Sequence, residues 1–355
     1  MSQMFKRSVR KGNYAYTVTR VKAKKSHLLK EEDYDKMIQM SVPEISRYIS
    51  EAGYQKEMTD LAGKFSGIAL VEHATYQNMA NVFKSILGAS QGELAIMVAA
   101  YLEKWDIWNL KVILRGKSYG VDASGIKEDL VPAGKVDEAS LDKLISLDSV
   151  DDVLNEYSKV GKVTFPADVI SEYKETGNAG VIEDFLDKFH YQRLLDSISP
   201  YTQPTKIFLD YIRKEIDVVN LRTIMKLKGE GIYGEQVMKY YIPGGMQIDS
   251  KFAQVLANAE TVAAASGDMS RLEVYEDYIK PVMDSDNVTN KAVVTSIKKY
   301  QEDQAKKMAH MYPLSVLPVI DFMVHKETEV RNIRIVARGV DGGLSRETIK
   351  GLLVI

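Results

Sequence analysis

The sequence Asp106-Ile-Trp-Asn109-Leu-Lys-Val-Ile-Leu-Arg115 decides the fold, because two further copies of it follow in the same chain. The second copy is Asp217-Val-Val-Asn220-Leu-Arg-Thr-Ile-Met-Lys226, and the third is Glu329-Val-Arg-Asn332-Ile-Arg-Ile-Val-Ala-Arg338. The asparagines are 111 and 112 residues apart, a period longer than the roughly 20–50 residues of solenoid repeats. This spacing predicts three tandem copies of one domain, at residues 1–122, 123–233 and 234–355.

Two weaker elements recur at a similar period. Leu130-Val-Pro-Ala-Gly134 precedes Tyr241-Ile-Pro-Gly-Gly245 by 111 residues. The sequence Tyr34-Asp-Lys-Met-Ile is followed by Leu141-Asp-Lys-Leu-Ile and then by Phe252-Ala-Gln-Val-Leu. Two elements that occur three times and one that occurs twice, at similar spacing, therefore indicate a threefold duplication.

Hydrophobic periodicity indicates that each copy is helical. Apolar residues recur every three or four positions over residues 54–87, 93–114, 181–195 and 207–227, whereas sustained alternation is hard to find. Ser41-Val-Pro-Glu44 has the pattern of a helix-starting capping box. The predicted fold class is all-α.

The repeated motif carries a carboxylate and an amide on one helix face. Positions three residues before the asparagine, the asparagine itself, and one and four residues after it share that face. A buried amide without partners costs ~1–3 kcal/mol, so its presence in all three copies predicts hydrogen bonds to a neighbouring helix or loop of the same domain. The predicted structural motif residues are Asp106, Asn109, Asp217, Asn220, Glu329 and Asn332.

Catalytic or metal-binding use of these carboxylates is disfavoured. Acid–base chemistry needs a second titratable group and a metal needs several ligands nearby, and the three copies share neither. The five histidines show no ligand spacing either. We therefore predict no catalytic, cofactor-binding or metal-ligating residue.

Composition indicates a globular protein of a reducing compartment. The 355 residues include 47 basic and 49 acidic ones, and 45% of all residues are apolar. This composition is that of ordinary folded chains. The absence of cysteine excludes disulfides, thiolate nucleophiles and cysteine-ligated zinc. The apolar runs are far shorter than the ~18 residues that a membrane span needs, and no secretory signal is recognisable. We expect a cytoplasmic location.

Two local features suggest other functions. Gly116-Lys-Ser118-Tyr-Gly120 fits a hydrolase nucleophile elbow, but a predicted helix stands where that motif requires a strand. A helix end assisted by glycine is the better interpretation. The first thirty residues are basic with no acid, which suits a solvated helix face or contact with anionic lipids. Nucleic acid is disfavoured because no aromatic stacking platform accompanies the charge.

The triple motif, the element containing Pro132 and Gly134, and the opening sequence Tyr14-Ala-Tyr-Thr-Val-Thr-Arg20 together resemble the C subunit of archaeal A-type ATP synthases. The d subunit of eukaryotic V-ATPases is the counterpart of that family. The resemblance covers essentially the whole chain. This sequence departs from the pattern in its second copy, which has Leu227 where the others have Gly116 and Gly339, and in its third, which lacks a clear Pro-x-Gly.

The resemblance implies a fold and a function. The fold would be three similar helical domains with pseudo-threefold symmetry, forming a funnel. The function would be that of a non-enzymatic rotor subunit at the cytoplasmic face of the membrane, with the central-stalk subunits and the proteolipid rotor ring as partners and no cofactor, small-molecule substrate or nucleic acid. A helical scaffold for other cytoplasmic partners remains the alternative, and a hydrolase using Ser118 is the enzymatic one.

Overall fold

The computed structural model describes residues 10–285 and 289–355, and within these ranges it is helical with no β-strand. The all-α prediction is confirmed. None of the helices in the described part of the chain is long and apolar enough to cross a bilayer. Lys6 and Arg7, which contribute to the basic start of the sequence, lie outside the described residues.

The first of two compact units contains residues 10–165 and 309–353. A π-helical turn at Ser50–Tyr54 joins two of its helices. Its α-helices are α1 Tyr14–Lys25, α2 Glu31–Met37, α3 Val42–Ile49, α4 Gln55–Leu61, α5 Gly67–Ala89, α6 Gly92–Leu102, α7 Lys104–Ser118, α8 Ala123–Glu128, α9 Glu138–Ser146, α10 Val150–Val160, and, late in the chain, α19 Leu317–Asp341 and α20 Arg346–Lys350.

The second unit contains residues 166–308. A π-helical turn at Tyr275–Ile279 precedes its short helix α17. Its helices are α11 Ala167–Thr176, α12 Gly180–Ser197, α13 Gln203–Gly229, α14 Glu235–Met238, α15 Ser250–Asn258, α16 Val262–Met269, α17 Lys280–Met283 and most of α18 Asn290–Met311. The three-domain division at residues 122 and 233 stays a prediction.

Two periodic stretches each divide into two helices. The stretch 54–87 is interrupted after α4, where Ser66 is extended and Gly67 has a positive φ of 58° before α5 begins. The stretch 93–114 divides at Glu103, between α6 and α7. The predicted capping box at Ser41 is present, since the Glu44 carboxylate accepts from the Ser41 backbone N–H at 2.7 Å.

Each unit has its own apolar core. In the first unit, α19 packs against α1 and α5, and Ile333 and Val336 lie in one buried cluster with Met37, Ile45 and Val71. In the second unit, Leu221 of α13 is buried with Phe252 of α15 and Ala265 of α16. The helices that carry the repeated motif, α7, α13 and α19, thus contribute apolar side chains to buried cores.

The three motif helices end in the same turn. Gly120, Gly231 and Gly343 have positive φ angles of 67°, 76° and 66°, the left-handed conformation that glycine adopts most easily. Each turn is closed by a hydrogen bond spanning five residues: Val121 N to Gly116 O at 2.8 Å, Ile232 N to Leu227 O at 2.9 Å, and Leu344 N to Gly339 O at 2.8 Å. The leucine of the second copy therefore leaves the turn unchanged.

The space beside this turn explains the glycines of the first and third copies. A Cβ on Gly116 would lie 2.3 Å from the Ile126 side chain, and one on Gly339 would lie 2.6 Å from Ile349. Ten residues after Leu227 the second copy has the smaller Val237, which is buried. In the second copy, Leu227 is larger than the glycine of the motif helix in the other copies, and Val237 is smaller than the isoleucine of the short helix that follows.

Candidate functional site: the repeated acid and asparagine motif

Each asparagine of the first two copies binds one loop residue through both of its amide atoms. Asn109 Nδ2 donates to the Val131 carbonyl at 2.8 Å, and the Val131 N–H donates to Asn109 Oδ1 at 2.7 Å. Asn220 makes the same pair with Ile242, both at 2.8 Å. The asparagines are 0% and 2% exposed, so the amide side chain satisfies backbone groups that water cannot reach.

The position of these partners differs from the expectation. We predicted partners within the same domain, whereas Val131 and Ile242 lie beyond the predicted boundaries at residues 122 and 233. In both cases the partner lies 22 residues after the asparagine. Each motif helix therefore holds the loop that precedes the next recurring element, which begins at Leu141 or Phe252.

The carboxylates hold the same segments a few residues further on. Asp106 accepts from the backbone N–H groups of Lys135 at 2.9 Å and Val136 at 3.0 Å. Asp217 accepts from three consecutive N–H groups, those of Met246, Gln247 and Ile248, at 2.8 to 3.0 Å. Acceptors of this charge at consecutive amides fix the path of a loop.

A side chain on the glycine of either Pro-x-Gly element would displace this contact. A Cβ on Gly134 would lie 2.0 Å from Asp106 Oδ1, and one on Gly245 would lie 2.2 Å from Asp217 Oδ1. Neither glycine has a positive φ, so the close approach to the carboxylate is the physical reason for it. The two sequence elements that share the 111-residue period thus form one structural unit.

The third acid turns back to the beginning of the chain. Glu329 accepts from the Leu29 backbone N–H at 2.7 Å and from the Tyr54 hydroxyl at 2.5 Å. Lys326 lies 2.7 Å from the same carboxylate and donates to the Tyr54 hydroxyl at 2.8 Å.

One position relates the three acids. Leu29, Val136 and Ile248 each stand immediately before the N-cap residue of a helix, namely α2, α9 and α15. Those helices contain the recurring elements that begin at Tyr34, Leu141 and Phe252. Each motif acid therefore binds the amide two residues before a helix that carries one of these recurring elements.

Burial shifts the proton affinities of these groups. Burial raises the pKa of Asp106 to about 6, although the N–H groups of Val136 and Lys135 oppose the shift. Burial also raises the pKa of Asp217, against three backbone hydrogen bonds. Beside the third motif acid, burial raises the pKa of Tyr54, with the Glu329 charge adding to it, and burial lowers the pKa of Lys326.

Sequence reasoning missed a lysine that extends the motif. Lys117 and Lys228 stand eight residues after their asparagines and donate to Ile145 O and Ala257 O, near the ends of α9 and α15. A cation is favoured at a helix C-terminus. The third copy has Val340 there, which packs against the apolar cluster of the first unit. The repeated lysine was visible at the 111-residue spacing, whereas Tyr54 and Lys326 gave no such signal.

The third motif asparagine, Asn332, is buried. Ser118 is the last residue of α7 and is exposed, so a helix precedes it and no nucleophile elbow is formed. No cluster of three or more His, Asp or Glu side chains suited to a metal occurs within residues 10–285 and 289–355.

Comparison with known proteins gives a consistent result. The model of the ATP synthase (C/AC39) subunit family matches residues 17–352. A protein of Methanosarcina barkeri is 34% identical over 347 residues, covering 97% of this chain and 93% of the relative. One of Archaeoglobus fulgidus is 34% identical, covering 97% and 98%, and one of Haloferax volcanii is 29% identical with the same coverage. Each of these three relatives is named as the C subunit of an A-type ATP synthase.

Proposed function

The chain belongs to the ATP synthase (C/AC39) subunit family, and from this premise we propose that it is a non-catalytic rotor subunit that couples the central stalk to the membrane proteolipid ring. Rotation passed through it would link ATP synthesis or hydrolysis to ion transport. Its partners would be the central-stalk subunits and the ring, and it would lie peripherally at the cytoplasmic face of the membrane.

One observation carries this proposal: the chain is similar over nearly its whole length to proteins named as the C subunit of an A-type ATP synthase. The geometry of the motif is consistent with a mechanical role. Asp106 and Asp217 accept from backbone amides, and Glu329 accepts from an amide, a tyrosine and a lysine. These bonds position loops.

We also propose three similar domains at 1–122, 123–233 and 234–355, arranged as a pseudo-threefold funnel. The shared C-terminal turn and the shared position of the acid-bound amides support three equivalent copies. Torque transmission requires resistance to deformation, and bidentate and charged hydrogen bonds in buried loops provide it.

The decisive experiment removes the chain from a purified, reconstituted complex. We expect ATP hydrolysis by the soluble catalytic head to persist, because the head keeps its own sites, while ATP-driven ion pumping into vesicles is lost. Adding the wild-type chain back should restore pumping. Loss of head hydrolysis on removal, or pumping without the chain, would contradict the coupling role and favour the scaffold alternative.

A cross-linking control tests whether the chain rotates. The chain has no cysteine, so Tyr201→Cys, at a side chain that is 85% exposed, introduces one attachment point without background. A tether from this site to the ring should leave pumping intact, because both turn together. A tether to a peripheral stalk should stop it. Equal pumping with both tethers would contradict rotation.

A further inference from the structure

A groove lined by arginines and aromatic rings lies in the first unit. One part of it is a cavity of about 420 Å³ between α7, α8 and α19. A second space of about 330 Å³ shares four of its lining residues. We call the two together the arginine–aromatic groove, and its principal lining residues are Tyr76, Trp108, Arg115, Tyr119, Arg334 and Arg338.

The arginines of this groove come from the repeated motif. Arg115 and Arg338 occupy the basic position six residues after the asparagine, and Arg334 occupies the one two residues after it. Two of the three have acidic partners, because Arg334 donates to Asp129 and Arg338 pairs with Glu72.

Arg334 is held in place before any partner arrives. Its guanidinium carbon lies 3.9 Å from the centre of the Tyr76 ring, and its Nη2 donates to Asp129 at 3.0 Å. Its Nε is buried and lies 3.6 Å from the Glu72 carboxylate, too far for a hydrogen bond. A fixed arginine loses little entropy when it binds a carboxylate.

The groove also presents aromatic surface to solvent. Trp108 is 39% exposed and Tyr119 is 84% exposed. The Trp108 indole N–H already donates to the Asp129 carbonyl at 3.2 Å, and its ring packs edge-on against Trp105. Covering such rings removes apolar area from water at small conformational cost, and Trp, Tyr and Arg are the side chains enriched at binding hot spots.

The charge of the groove favours an anionic occupant. Three arginines line the larger cavity against one carboxylate, Asp129. The second space adds Arg331 and Glu327, and Glu72 pairs with Arg334 and Arg338. The groove and its pairing carboxylate thus hold four arginines against three carboxylates, an excess of one positive charge. A small ligand would be enclosed on most sides, whereas Tyr119 stands almost fully in solvent, so a polypeptide covers this surface better.

We propose that the arginine–aromatic groove docks an acidic polypeptide segment of another subunit of the ATP synthase complex. The segment places a carboxylate between Arg115 and Arg338 and an apolar side chain against Trp108 and Tyr119. This inference rests on the proposed function, because it takes the partner from the same complex.

The test measures rebinding of purified chains to the complex prepared without this chain, and each variant has a matched control in the second unit. Arg115→Glu is paired with Lys251→Glu, and Tyr119→Ala is paired with Tyr233→Ala, since both control side chains are exposed. We expect each groove variant to rebind at least about tenfold more weakly and each control to stay within about twofold of wild type. Higher salt should narrow the difference between wild type and Arg115→Glu.

All four substitutions are at exposed positions, so we expect the variants to fold. Thermal melts of the isolated variants check this. Folded groove variants that rebind like wild type would overturn the docking inference alone. A wild-type chain that does not rebind would overturn the proposed function as well. Fluorescent ATP that binds the wild-type chain but not Arg115→Glu, with unchanged rebinding, would make the groove a small-anion site and contradict the proposal.

Discussion

Replacing Asn220 by leucine tests whether the motif amide holds the loop of the next copy. Leucine is close to asparagine in size, so the change leaves little cavity but strands two buried groups, the N–H and the carbonyl of Ile242. Each stranded group costs ~1–3 kcal/mol. The expected loss is therefore about 2–6 kcal/mol of unfolding free energy, a large part of the ~5–15 kcal/mol available to a typical domain.

The assay must report on the second unit. Both tryptophans, Trp105 and Trp108, belong to the first unit, so tryptophan fluorescence would not follow the unit that is altered. Helical circular dichroism during denaturation, together with hydrogen exchange at the Ile242 amide, does follow it. In wild type that amide donates to Asn220 at 2.8 Å and should exchange slowly.

A matched substitution separates the amide contact from a general effect of leucine. Asn258 lies in the same unit, is exposed, and accepts only from Gln254 at the surface among its described bonds. Asn258→Leu should change stability by no more than about 0.5 kcal/mol. An Asn220→Leu chain with unchanged stability and a still-protected Ile242 amide would refute our account of the motif.

Three further predictions follow from the first unit. Gly134→Ala should cost about 1–3 kcal/mol in denaturation, because its Cβ would displace the Asp106 carboxylate from the loop, whereas Gly63→Ala, with open space around it, should stay within about 0.5 kcal/mol. Folding raises the pKa of Asp106 from 3.8 to about 6, so the folded chain binds the proton more tightly than the unfolded chain. The unfolding free energy of wild type relative to Asp106→Asn should therefore fall by up to about 3 kcal/mol as the pH rises from 3.8 to 6, and level off above that pH. A difference that does not change with pH would contradict the pKa shift. Ser118→Ala should leave the melting temperature unchanged and remove no hydrolytic activity, and turnover lost with this hydroxyl would restore the hydrolase alternative.

The repeat was predictable because each copy of the motif is a short stretch that can be recognised from its own residues. Apolar spacing of three and four residues predicts helices, and the 111-residue recurrence of Asn109 in Asn220 marks equivalent positions without any knowledge of the fold. The glycine of the Pro-x-Gly element was also visible, although its reason, contact with Asp106, is tertiary.

The partners were not predictable, because they depend on contacts distant in sequence. Nothing around Glu329 indicates that its carboxylate reaches Leu29, 300 residues away. The sequence shows that the third copy has glutamate at position 329 where the other two have aspartate. The contacts of this side chain with Tyr54 and Lys326 are visible only in the structure. The arginine–aromatic groove likewise assembles Tyr76, Trp108 and Arg334 from three helices.

The bond from Glu329 to Leu29 has a consequence for biosynthesis. The first unit is discontinuous, so the ribosome releases its beginning long before its end. At ~5–20 residues per second, the 300 residues between the two partners take roughly 15 to 60 seconds to synthesise. During that interval Val71 and Ala74 of α5 lack Ile333, Val336 and Ala337, which belong to the same buried apolar cluster in the folded unit. The nascent chain must keep this apolar surface from aggregating. The part of the chain that is synthesised first is thus among the last to reach its native packing.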